Sequence, residues 1–448
     1  MAETAREGQL PPEIVSALPA ARGVALVEEL AQTECPALTV RRARRAERSG
    51  APHDPIVWAR ALGSNVWDVD GNRFVDLSAG FGAAAVGHGR PEVVAAVQRQ
   101  ASLLCHALGD VHPSEPKVAL LSRLRTLCPW DDGRAMLGLS GSDAVTAALK
   151  TAVLATGRSG VLAFEGAYHG LAYAPLSACG YSPAFRAPFA AQLNPAVRFA
   201  PYPTDAAEAG GALSQAHEAL ASGEVGAVLV EPVLGRGGVV VPPEGFVAEV
   251  GALCRAHGAL LIADEILCGL GRVGAMWASV ADGATPDLIC AGKALGGGLP
   301  VSACLGRGEV MAAWGDPGSE ALHTSTFAGN PLGAVAALAA LDVIEREGLA
   351  ARAQRVGAGF AERLRARLGD QAAQVRGRGL LLGMDLGDGA RALAAGRALL
   401  ERGYITVPAA ADARVISLTP PLDIEAALLD GFADTLAEVL QALPETGA

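Results

Sequence analysis

In PDLICAGKALGGGLP, residues 286–300, a short apolar run leads into Lys293 and then into a glycine cluster. The 448-residue chain has 36 basic residues, and only Lys117, Lys150 and Lys293 are lysines; arginine supplies every other cation. A lysine between a buried-type strand and a Gly-rich turn, with no other charge after Asp287, calls for a chemical reason. Arginine cannot stand in where an amine must lose its proton or form an imine.

Outward from this stretch, residues from about 90 to 345 repeat one pattern of strand, Gly-containing loop and helix. Apolar runs occupy 134–139, 160–164, 226–233, 259–264, 287–291 and 301–305, with helical stretches such as 143–156 and 244–257 between them. That alternation predicts an α/β fold with a mostly parallel sheet covered on both faces. Upstream, NVWDVDGNRFVDLSAG (65–80) sets alternating apolar residues around an Asp-Gly turn, a hairpin signal. Residues 1–50 are polar, rich in Arg and Ala, and helical in part. Beyond 345, Arg/Glu/Ala helices and a strand-like alternation ending in VISLTPPLDI predict a smaller α+β domain. The expected division is 1–80, contributing to the small domain and the pocket; 81–340, the large domain; and 341–448, the C-terminal small domain.

Composition narrows the function classes. A net charge of −11 argues against nucleic acid as a partner. The basic run RRARRAER (41–48) reads as a solvated helix face. No run reaches the roughly 18 uncharged apolar residues of a membrane span, and MAETAREGQLPPE lacks a signal-peptide layout. A cytoplasmic location without a membrane partner is expected. The eight cysteines show no CxxC and no His pairing at zinc spacing, so reduced buried thiols and no metal are expected.

In open parallel sheets, ligands bind beyond the carboxyl ends of the strands. There the sequence places Ser140-Gly141-Ser142-Asp143 at a helix start, Tyr168-His169, Glu231-Pro232, Asp264-Glu265 and Lys293. Free amides at a helix N-terminus cradle an anion. Asp264 ends an apolar run and needs a cationic or hydrogen-bonding partner. An anion cradle, a ring to stack on, a carboxylate and a lysine are the parts of a pyridoxal 5'-phosphate site.

The chain resembles the class III (ω-type) aminotransferases, fold type I pyridoxal-phosphate enzymes, over roughly residues 55–430. The likeness lies in VWDVDGNRFVDLSAGFGAAAVGHGRPEVVAAV, LSGSDAVTAALKTA, FEGAYHG, VEPVLGRGG, LIADEILCGLGRVG, PDLICAGKALGGGLP, HTSTFAGNPL, VRGRGLLLGMDL and LTPPLDI, in that order. It implies a seven-stranded, mostly parallel sheet flanked by helices. It also implies Lys293 as the Schiff-base lysine and Asp264 as the partner of the pyridine nitrogen. Gly141 and Ser142 match the phosphate loop, Tyr168 and Ile266 the two ring contacts, and Glu231 falls among the cofactor-binding positions. Thr326 matches the threonine that reaches the phosphate of a neighbouring subunit, implying a homodimer with shared sites. The implied reaction moves an amino group between an amine or an ω- or α-amino acid and a keto acid.

Three positions depart from the family pattern. Leu267 stands where many members carry a Gln that bonds the cofactor ring oxygen. Arg236 stands where members acting on ω-amino acids carry Glu, and Ser417 where they carry the Arg that pairs with it. Arg414 lies three residues from Ser417, so on a strand it faces the other way. Arg236 is a candidate to bind a substrate carboxylate in place of that pair, with Ser417 as the second substrate-binding candidate. Losing both ends of the pair keeps a pyridoxal-phosphate racemase or epimerase, or an aminomutase, as the alternative.

Overall fold

The computed structural model describes residues 7–48, 55–315 and 320–443. The chain divides into two compact units, Pro91–Ala351 and a second built from Met1–Arg90 with Arg352–Ala448.

The first unit is organised around a seven-stranded sheet. Its strands are β1 (Arg134–Gly138), β2 (Gly160–Phe164), β3 (Val197–Ala200), β4 (Val225–Val230), β5 (Leu260–Asp264), β6 (Leu288–Ala291) and β7 (Ser302–Gly306), in the spatial order β1-β7-β6-β5-β4-β2-β3. Strands β2, β4 and β5 are buried at every position, which is why they read as unbroken apolar runs rather than as alternations. Strand β7 alone runs antiparallel, to both neighbours, with Cys304 opposite Cys290 on β6 and Met136 on β1. One face is covered by a layer containing Phe164, Val228, Phe246 and Val250, where Phe164 meets Tyr202 and Phe246 edge-on at 5.8 and 5.7 Å. The other is covered by helix Gly141–Thr156, which lays Ala144, Ala147, Ala148 and Ala152 against Leu229 and Ile262. Small helix residues permit this close approach in a chain with few aromatics.

The parallel strands β2, β4, β5 and β6 end at one edge. The residues that follow them, Tyr168, Glu231, Asp264 and Lys293, are therefore carried to a common border by topology alone.

The second unit is α+β. Its hairpin pairs Asn65–Asp68 with Arg73–Asp76, and Trp58–Leu62 and Tyr404–Ile405 complete a four-stranded sheet. The turn closes where Asp68 Oδ1 accepts the Asn72 amide at 2.8 Å. A second four-stranded sheet joins Gln374–Arg378, Leu381–Asp385, Val407–Ala409 and Val415–Leu418. Residues just past the hairpin stay with this unit because the carbonyls of Leu77 and Ala85 accept the amides of Thr419 and Leu422, both at 2.8 Å. Residues 1–50 contribute the helices Ala21–Thr33 and Pro36–Arg48, the latter carrying the basic run mostly exposed. Among the described residues, no helix is long and apolar enough to cross a membrane.

Two helical glycines should respond oppositely to an added methyl. Gly210 faces open space, whereas a Cβ on Gly357 would run into the Gly379 carbonyl. Gly210→Ala should raise stability by about 0.5–1 kcal/mol through the unfolded chain. Gly357→Ala should lower it by about 1–3 kcal/mol through overpacking. Denaturant midpoints of the two variants check both signs.

Candidate active site

Lys293 leaves β6 after Gly292 with φ +36, a left-handed backbone unusual for a side-chain-bearing residue. Strain of this kind persists only where the surroundings enforce it. Its amine is partly buried and makes no hydrogen bond among the described residues. Burial pushes its ammonium below the ordinary lysine range; Asp264 and Glu231 oppose that shift, and Arg236 adds to it.

Asp264 closes β5 and is 3% exposed. One oxygen meets His169 Nδ1 at 2.7 Å, and the other accepts the Ile266 amide at 3.1 Å. His169 is buried too, and its Nε2 has no hydrogen-bond partner among the described residues. The apolar strand thus ends in a carboxylate whose orientation is set by an imidazole and a backbone amide.

Glu231 follows β4 and joins two loops. Its oxygens accept the Tyr168 amide at 2.7 Å and the Gly235 amide at 3.1 Å. Tyr202 donates its hydroxyl to the carbonyls of Glu231 and Pro232 at 2.9 and 3.1 Å, holding the turn from behind. Burial pushes the Glu231 carboxyl up to about 7, with His169 pulling the other way.

Helix Gly141–Thr156 begins with a capping box. Ser140 Oγ accepts the Asp143 amide at 3.2 Å, and Asp143 Oδ2 accepts the Ser140 amide at 2.9 Å. The amides of Gly141 and Ser142 have no partner among the described residues, so the helix start keeps two open donors. Ile266 closes the space behind them: a Cβ on Gly141 would stand 2.8 Å from its Cδ1, and one on Gly292 would stand 3.3 Å from its Cγ2. Gly170, at φ +113, leaves the room that Ser142 Oγ occupies.

Seven of the sequence-selected residues, Gly141, Ser142, Tyr168, Glu231, Asp264, Ile266 and Lys293, thus line one edge of the sheet. Arg236 is there as well, its Cζ 4.4 Å from the Tyr168 ring centroid. Leu267 packs over Gly235, where a Cβ would strike it. Thr326 is exposed on the 320–330 segment and makes no hydrogen bond among the described residues. Ser417 is buried in the second unit, opposite Gly383 and Val407. Arg414 is tied to Asp385 at 3.2 Å. Sequence reasoning missed Tyr181 and Phe185, whose rings stand 4.7 and 5.5 Å from the same guanidinium. Both rings lie far upstream of Arg236 in the sequence, so no local pattern joined them to it.

The aminotransferase class-III family model matches residues 47–440. The acetylornithine aminotransferase of Methanopyrus kandleri is 38% identical over 393 residues, covering 88% of this chain and 95% of that protein. The 4-aminobutyrate aminotransferase of Mycobacterium leprae is 34% identical over 410 residues, covering 86% and 91%. Among solved structures, a pyridoxal-phosphate-bound amine transaminase from an uncultivated Pseudomonas species superposes with a TM-score of 0.80 at 29% identity, covering 87% and 94%. The chain belongs to the class III aminotransferases and is a pyridoxal-phosphate-dependent transaminase with their α/β fold. These relatives lend no support to the racemase, epimerase or aminomutase alternative. The residues present fit the cofactor: an unpartnered amine, two open helix amides and an oriented buried carboxylate lie at one sheet edge.

Glu231 supplies a pH test. Its folded pKa is about 7 against an ordinary 4.5, so the folded chain keeps a proton that the unfolded chain has released. Its contribution to stability therefore falls as pH rises across that window. Glu231→Gln, neutral throughout, should flatten this dependence in urea midpoints of the cofactor-free chain at the two ends of the window; equal slopes would contradict the assignment.

Proposed function

We propose that Lys293 Nζ is the amine that holds pyridoxal phosphate covalently, and that the chain uses it to move amino groups between amines or amino acids and keto acids. The observation carrying this reading is that the one strained, unpartnered lysine meets the open helix amides and the buried Asp264 at a single sheet edge. When bound, the cofactor supplies an electron sink for negative charge at the amino-bearing carbon.

The chain's residues divide the remaining work. The amides of Gly141 and Ser142, with the Ser142 hydroxyl, take the phosphate at the positive end of a 16-residue helix. Tyr168 and Ile266 hold the two faces of the ring. Asp264 keeps the ring nitrogen protonated, and His169, bonded to it at 2.7 Å, positions that carboxylate. Glu231 holds Tyr168 in place through its backbone amide rather than through its ring. Lys293 Nζ, once displaced by the incoming substrate amine, would take the proton from the substrate carbon and deliver it, as an acid, to the cofactor-side carbon of the shared C–N bond; burial, which disfavours its ammonium, favours the first of these steps.

Thr326 is assigned to the phosphate of a second copy, making the working form a homodimer. An exposed apolar face supports this: Leu103, Leu108, Val111 and Phe327 are each more than half exposed. The segments that carry them are joined by the Asn330–Cys105 hydrogen bond at 2.8 Å and by the His106–Phe327 ring contact. The free state of all eight cysteines supports a cytoplasmic location. The names of the relatives suggest substrates with an amino group at a chain end, as in acetylornithine and 4-aminobutyrate.

Borohydride reduction of the holoenzyme followed by peptide mapping should place the cofactor on Lys293; label at Lys117 or Lys150 would overturn the reading. Lys293→Ala should lower turnover by about 10³-fold or more, in line with loss of a positioned acid–base group. Sedimentation of the holoenzyme should give a dimer.

A further inference from the structure

Arg236 stands at the tip of a tight loop. Leu234 and Val240 exchange backbone hydrogen bonds across it at 3.0 and 3.1 Å, and Glu231 holds the Gly235 amide at 3.1 Å. The backbone on either side has no spare room. A Cβ on Gly235 would run into the Leu267 side chain, and one on Gly237 into the Gly166 carbonyl. The Arg236 backbone is therefore placed by close contacts that owe nothing to its own side chain.

The guanidinium is held as well. Its Cζ lies over the rings of Tyr168, Tyr181 and Phe185 at 4.4, 4.7 and 5.5 Å, within the roughly 6 Å reach of cation–π attraction. The rings brace one another, Tyr168 edge-on to Tyr181 at 6.1 Å and Tyr181 tilted on Phe185 at 5.6 Å. Cation–π attraction acts on the guanidinium charge and commits none of its N–H groups to a hydrogen bond, which leaves the fork that matches a carboxylate. Among the described residues Arg236 makes no ion pair and no hydrogen bond. Its charge nevertheless reaches Lys293.

We propose that Arg236, seated in the Tyr168–Tyr181–Phe185 cage, is the receptor for the substrate's carboxylate and makes amino acids and their oxo-acid counterparts the preferred substrates over simple amines. The inference rests on the assignment of Lys293 as the reacting amine, since carboxylate and amino-bearing carbon must reach Arg236 and Lys293 together. A cation already oriented by three rings loses little freedom on binding, so its two donors act as a preorganised fork. A lysine at this position would offer a point charge without the planar fork that matches a carboxylate.

The test compares α- and ω-amino acids, 4-aminobutyrate among them, with the amines in which a methyl replaces the carboxylate, butylamine for 4-aminobutyrate. In the wild-type holoenzyme kcat/KM should favour the carboxylate member of the best pair. In Arg236→Gln that preference should fall by about ten- to hundred-fold, the worth of hydrogen bonds to a charged group. Calorimetry with butyrate, which cannot react, should show a loss of affinity of the same order. Arg236→Lys should recover part of the preference, and Tyr181→Leu should lower it several-fold with the arginine still present.

An unchanged preference in Arg236→Gln overturns the proposal, as does a wild-type enzyme that favours the simple amine. A loss of cofactor affinity without a change in preference overturns it too, by giving Arg236 to the cofactor. If Arg236→Gln does not fold, Tyr181→Leu decides alone, an unchanged preference again overturning the idea. Borohydride labelling separates the two readings: label on Lys293 with an unchanged preference removes only the role of Arg236, whereas label elsewhere removes the assignment of Lys293.

Discussion

A carboxylate at the buried end of an apolar strand is the constraint on which the site depends. Asp264 is 3% exposed, and an ion in that position is tolerated only with partners on both oxygens. The imidazole of His169 and the amide of Ile266 supply them. Both partners also do something else. His169 belongs to the turn that presents Tyr168, and Ile266 packs behind Gly141 and Gly292. Satisfying one carboxylate therefore positions Tyr168, the helix start and the backbone that leads into Lys293.

The same desolvation acts with opposite consequences on the other charges. It raises the Glu231 carboxyl to about 7 and depresses the Lys293 ammonium. Glu231 is a buried acid used through the hydrogen bonds it accepts from two loops, while Lys293 is a partly buried amine whose charged form burial disfavours. The distinction rests on partners: two backbone amides bind the carboxylate, and the amine has no hydrogen-bond partner among the described residues.

Much of this was legible in the residues. Six of the seven sheet strands coincide with apolar runs, and five of these are buried at every position, where polar residues are disfavoured. Strand Val197–Ala200 escaped notice: it lies at the sheet edge, pairs with one neighbour only, and carries exposed Arg198. The antiparallel course of Ser302–Gly306 was equally invisible, since a fully buried strand reads the same in either direction. Lys293, Asp264 and the Ser140–Asp143 turn could be picked out because each breaks an apolar or glycine-rich context. The aromatic cage could not, because Tyr181 and Phe185 reach Arg236 only through the long connection between Phe164 and Val197. Arg236 itself stood out by departing from a family pattern, yet its surroundings, and so its chemistry, are a matter of tertiary contact.

The role proposed for Asp264 is to keep the cofactor's ring nitrogen protonated, so that Lys293 would work against an electron-poor ring. The ¹⁵N chemical shift of pyridoxal phosphate labelled at that nitrogen, recorded in the holoenzyme near neutral pH, tests it most directly. The nitrogen should be protonated in the wild type and unprotonated in Asp264→Asn. An unprotonated nitrogen in the wild type, or one that stays protonated in the variant, would contradict it.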